Sequence, residues 1–158
     1  MAKFKMTETL SPYRIHDSAR LADGTGVSNQ LTDADVGKFV KLVGDSQYGL
    51  CAAGNEIEGV VESANEQIAD GFYIGSVRKD GRVRVTLDGL QATPGTGVIA
   101  VGDYVVAGTL VARGTAQLPT PPKVCKATAA GSALNFKWRV VALDGTTAVG
   151  QTALIERV

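Results

Sequence analysis

The chain has 158 residues, 44% hydrophobic and 20% charged, which suits one ordinary domain whose core needs no disulfide or metal staple and excludes a disordered polymer. Sixteen basic residues balance sixteen acidic ones, which argues against the strong pull that nucleic acid or an anionic membrane exerts on a basic protein. Nineteen glycines, as many valines and 6% aromatic residues describe many short strands joined by tight turns rather than long helices.

In chain order, residues 1–30 are polar and glycine-studded, with Pro12 and the run from Ala22 to Asn29, and carry neither helical nor strand periodicity over a useful length. They are expected to form an extended arm ahead of a β-rich core at 31–158, with Tyr13 to His16 able to add one edge strand. Met1 to Met6 carry charge with no apolar stretch after them, and nothing approaches the ~20 apolar residues that span a bilayer. The expectation is therefore a chain made in a reducing cytoplasm and not bound to a membrane. After the acidic turn Leu31 to Lys38, Phe39-Val-Lys-Leu-Val43 reads as a strand. Tyr48 to Ala53 and Ile57 to Ser63 read as short apolar segments split by a Gly54-Asn55 hairpin turn.

Phe72 to Val77 and Arg82 to Leu87 flank Lys79-Asp80-Gly81, and Arg82, Val83, Arg84 and Val85 alternate as a strand with one wet and one dry face does. Asp-Gly supplies positive φ angles, so this stretch is expected to be a hairpin. Gln91 to Gly97 reads as a loop. Val101-Gly-Asp-Tyr-Val-Val-Ala-Gly108 then echoes Val36-Gly-Lys-Phe-Val-Lys-Leu42, in the manner of two similar strand starts around one barrel. Leu118 to Lys123 is held extended by its prolines, and Ala127 to Ala133 suggests a helical turn. Phe136 to Leu143, the turn Asp144-Gly145 and Ala148 to Val158 form a closing hairpin. The fold expected is all-β: a single compact barrel or sandwich of about 8 to 10 short strands with an extended N-terminal arm.

Catalytic signals are sparse. His16, the single histidine, lies in the polar arm without an orienting partner in its pattern, and the nucleophile-elbow and metalloprotease motifs are missing. Gly95-Thr-Gly97-Val-Ile-Ala100 matches a dinucleotide fingerprint in letters, but Pro94 stands where a buried strand should and a second strand follows where a helix should. Cys51 and Cys125 lack metal-ligand spacing and read as reduced, buried thiols. No catalytic, metal or cofactor site is expected. The candidate partner contacts are Phe4, Leu10, Tyr13, Arg14 and Ile15 in the arm, whose apolar groups need a surface to bury them, and the basic cluster Arg78, Lys79, Arg82 and Arg84. Trp138 reads as core.

The polar arm, Asp35-Val-Gly-Lys-Phe-Val-Lys-Leu42, Ile57-Glu-Gly-Val-Val61 followed by Gly71 to Val77, Arg82-Val-Arg-Val-Thr86 and Val101-Gly-Asp-Tyr-Val-Val106 carry a resemblance. Over about residues 31 to 112 the chain resembles the small β-barrel capsid decoration, or cement, proteins of phages. That resemblance implies a non-enzymatic virion protein on the outer capsid surface, bridging major capsid subunits and neighbouring copies of itself. An arm adding a strand to a neighbour's sheet edge would suit that role. The alternative is a β-barrel module that binds nucleic acid or a glycan; the cluster at Arg78 to Arg84 suits a phosphate backbone, but no interleaved aromatic residues offer bases a stacking platform.

Overall fold

The computed structural model describes residues 16–23, 29–67, 72–89, 98–128, 133–146 and 149–158. Among these described residues, ten strands and one 3-10 turn, Asp33–Asp35, make up the regular structure. The all-β expectation holds, and the strands close into two five-stranded barrels joined by a common core. Barrel 1 contains β1 (His16–Leu21), β2 (Phe39–Gly44), β3 (Gln47–Leu50), β4 (Gly59–Gln67) and β5 (Phe72–Arg78), in the order β1-β3-β2-β4-β5. Barrel 2 contains β6 (Arg82–Leu87), β7 (Tyr104–Ala107), β8 (Lys123–Lys126), β9 (Trp138–Leu143) and β10 (Thr152–Arg157), in the order β10-β6-β8-β7-β9.

Adding five to each strand number of barrel 1 yields barrel 2. Each has one parallel pair, β1 with β3 and β6 with β8, and otherwise antiparallel ladders. The registers coincide as well. Leu21 lies opposite Tyr48 as Leu87 lies opposite Val124, and Phe39 lies opposite Val60 as Tyr104 lies opposite Arg139. Even the bulge recurs, with Glu62 the extra residue in β4 and Val141 the extra residue in β9.

The echoed segments mark equivalent starts of β2 and β7, one in each barrel. Gly37 and Gly102 have φ of 88° and 95°, a region closed to most side chains. Each then donates its N–H to the matching strand: Gly37 N to Val61 O at 2.8 Å, and Gly102 N to Val140 O at 2.8 Å.

Three expectations are corrected. Asp80-Gly81 is not a hairpin turn: β5 pairs with β4 and β1, β6 pairs with β8 and β10, and Lys79 to Gly81 carries the chain from one barrel to the other. Gly81 has the positive φ the Asp-Gly signal implies, at 79°, but a sharp corner satisfies that signal as well as a hairpin does. The second concerns the arm. Residues 16–23, 29 and 30 belong to barrel 1: β1 is paired on both sides, and Ala19, Leu21, Ala22 and Gln30 are buried. Five of the six residues in His16-Asp-Ser-Ala-Arg-Leu21 are small or polar, which hides any apolar alternation, and backbone pairing on both sides holds the strand in place. Gly54-Asn55 likewise turns the chain without pairing its flanks; Gly54 N donates to Ala107 O at 2.8 Å and Ala107 N to Asn55 O at 3.0 Å, tying the turn to β7. The β9–β10 hairpin is as expected.

Barrel 1 encloses its own cluster, including Leu21, Val40, Tyr48, Val61 and Val77. The larger cluster fills barrel 2 with Val83, Val85, Leu87, Val124, Trp138, Val140 and Ile155 and continues to Phe39, Cys51, Ile57 and Val60 on the facing side of barrel 1. Trp138 Nε1 crosses between the two by donating to Ile57 O at 2.8 Å. A second seam is ionic: Lys38 Nζ, wholly buried, lies 2.6 Å from Asp35 Oδ1 and donates to Ala112 O at 2.7 Å. Gly114 N also donates to Asp35 Oδ1 at 2.9 Å, so this pair fastens the loop after β7 to barrel 1.

Candidate partner-binding groove

The junction of the barrels leaves a groove of about 340 Å³. Val36, Val60 and Val61 come to it from barrel 1 and Val83 from barrel 2, while Leu118, Pro119, Pro121 and Pro122 form an apolar wall. Leu118 leans over Gly37, where a Cβ would come 3.2 Å from its side chain, yet it remains 56% exposed. Sequence reasoning reads the proline run only as extended and assigns it no role; its nearness to Val36 exists only once the barrels pack.

Arg78, Arg82 and Arg84 line this groove, with Glu62. The basic cluster thus divides, because Lys79 lies in a different cavity with Tyr48 and Glu58. There Lys79 Nζ sits 3.3 Å from Glu58 Oε1 and 5.1 Å from the Tyr48 ring centroid. Glu58 also accepts from Tyr48 OH at 3.2 Å and from Leu42 N at 3.0 Å, so its carboxylate is occupied by the barrel itself. Arg82 Nε faces Glu156 Oε1 at 3.4 Å, and Arg84 Nη1 donates to Asp144 Oδ2 at 2.6 Å. Arg78 differs: its Nε is buried and has no hydrogen-bond partner. The arm contacts Phe4, Leu10, Tyr13, Arg14 and Ile15 lie outside the described residues.

Arg157, which sequence reasoning does not single out, braces the crossover between the barrels. Its Nη1 donates to Glu58 O at 3.0 Å and Lys79 O at 2.7 Å, and its guanidinium lies 5.1 Å from the Phe136 ring centroid. Among the described residues no group of three His, Cys, Asp or Glu side chains is placed to hold a metal ion. Both thiols are buried, and that burial pushes Cys51 up to about 12 and Cys125 up to about 11, far from a reactive thiolate. What the groove offers chemically is recognition: an apolar wall, a strand-borne floor and the Arg78 guanidinium, whose Nε has no partner within the fold.

No family model, curated protein or solved structure matches the chain.

Proposed function

We propose that the chain is a structural virion protein that binds the outside of a phage capsid and stabilises it by bridging major capsid subunits. In this reading it is made in the host cytoplasm, works without a cofactor or catalysis, and contacts neighbouring copies of itself on the shell. The observation that carries the reading is the groove between two barrels of one topology, because it joins a two-barrel body to a recognition surface lined by both. Two similar bodies in one chain suit bridging, and repetition over a shell multiplies weak contacts into avidity. The resemblance over about residues 31 to 112 points the same way.

The ion pairs of Lys79, Arg82 and Arg84 favour a protein partner over a phosphate backbone, since those charges already meet Glu58, Glu156 and Asp144. Closed barrels also bear on how an arm would dock, because closure removes most free sheet edges. Side-chain recognition in a groove therefore suits this body better than strand addition.

The test is co-sedimentation of the full chain with mature, expanded capsids. Saturable association at a fixed ratio to capsid subunits is expected, and a chain that never pellets with any capsid refutes the proposal. The arm's share is measured with a truncation that keeps β1, which starts at His16; a truncation at Gln30 would remove a barrel strand along with the arm.

A further inference from the structure

We propose that the groove between the barrels takes an extended peptide segment of a partner protein, in which one Asp or Glu side chain flanked by apolar residues seats its carboxylate on Arg78. This rests on the reading of the chain as a protein-binding structural component and names the chemistry of the partner at that site.

The two barrels supply the comparison that carries it. Arg78 in β5 and Glu156 in β10 occupy equivalent positions, each opposite the matching residue of the neighbouring strand: His16 faces Arg78, and Arg82 faces Glu156. In barrel 2 this cross-strand position is an ion pair closed within the fold, Arg82 Nε to Glu156 Oε1 at 3.4 Å. In barrel 1 the residue opposite Arg78 is His16 rather than a carboxylate, and Arg78 Nε is buried without a hydrogen-bond partner. A buried donor left unpaired is costly, and a guanidinium fork matches a carboxylate with two parallel hydrogen bonds. The Arg78 guanidinium lines the groove, so a ligand carboxylate there can supply the acceptor that the fold does not.

The surroundings restrict its source. Leu118 stands 56% exposed beside Pro119 and Pro121, so the ligand needs apolar atoms next to its carboxylate. A volume of about 340 Å³ admits a few side chains of an extended segment and not a folded domain. Arg82 and Arg84 in the same groove already meet Glu156 and Asp144, so the groove does not offer the row of uncompensated cations that a nucleic-acid backbone needs.

The experiment is an NMR titration of the isotope-labelled full chain with two blocked peptides, acetyl-Ser-Val-Glu-Leu-Ser-amide and its Gln counterpart. The Glu peptide is expected to shift the resonances of Val36, Gly37, Arg78 and Leu118 saturably, and the Gln peptide to bind at least tenfold more weakly. Arg78→Met should erase that preference. Leu118→Asp, in a loop where a fold defect is not expected, should weaken the Glu peptide at least tenfold while Trp138 fluorescence and thermal unfolding stay unchanged. Equal affinity for the two peptides, no groove shifts at millimolar peptide, or wild-type affinity in both variants overturns the assignment. So does stronger displacement of the same resonances by oligothymidylate, or concentration-dependent shifts without peptide, which would place a second copy in the groove. Capsid co-sedimentation separates the two proposals. If both variants pellet as well as the wild type, the groove assignment falls and decoration stands. If the peptide preference holds but no form pellets, decoration falls and the groove stands.

Discussion

Lys38 and Asp35 have side chains only 1% and 0% exposed, so each is the main charge compensation for the other. Asp35 keeps donors from Thr32 N at 2.8 Å and Gly114 N at 2.9 Å, whereas Lys38 relies on Asp35 and the Ala112 carbonyl. Removing the acid is therefore worse than removing the base. Asp35→Ala should cost about 3–5 kcal/mol, the usual penalty for stranding a buried charge, and Lys38→Met clearly less, as read from urea unfolding midpoints. The thiols give a second residue-scale prediction. Burial raises Cys51 to about 12 and Cys125 to about 11 from the ordinary 9.0, so above pH 9 the unfolded chain loses thiol protons that the folded chain retains. Their contribution is complete below pH 9 and is lost as pH rises toward 11–12, at roughly 1.4 kcal/mol per thiol per pH unit. Stability measured between pH 8 and 10.5 should fall more steeply for the wild type than for Cys51→Ala. A thiol reagent at pH 8 should leave both groups unmodified until denaturant is added.

At the scale of elements, the paired starts of β2 and β7 make a controlled comparison. Ala at Gly102 meets nothing within 4 Å and should cost only the backbone strain of its φ of 95°, about 1–2 kcal/mol. Ala at Gly37 carries the same strain and also presses on Leu118 at 3.2 Å, so the larger loss and a displaced groove wall are expected there. Thermal unfolding of the two variants, with Leu118 methyl shifts, reads both effects. These starts are legible in the sequence because a glycine at positive φ followed by an apolar strand is a local requirement. So is β6, where Val83, Val85 and Leu87 are buried and Arg82 and Arg84 exposed, as alternation demands. Pairing is not local. Lys79 to Gly81 carries a hairpin signal, but β5 and β6 each find both neighbours elsewhere, and nothing in those residues records the choice.

Across the whole molecule, the core that runs from Trp138 to Phe39 and Ile57 makes the two barrels one cooperative unit. Trp138 is the single tryptophan and sits in barrel 2 where it meets barrel 1, so its fluorescence reports that junction while far-ultraviolet circular dichroism reports both barrels. The two urea transitions should coincide; separate midpoints would show barrels that unfold independently. Of the candidate site, the basic residues are legible as a cluster at Arg78 to Arg84. Which of them stays unpaired is not, because Glu156 and Asp144 reach Arg82 and Arg84 only through the sheet of barrel 2. The apolar wall from Leu118 to Pro122 is invisible for a similar reason, since it meets Val36 and Arg78 only where the barrels join. The central claim, that this two-barrel body decorates a capsid, is tested most directly by cryo-electron microscopy of mature, expanded phage capsids saturated with the purified chain. The account predicts added density of two adjoining barrels on the outer surface at a fixed number per capsid subunit, with the groove turned toward a subunit boundary. A shell indistinguishable from untreated capsids would contradict it.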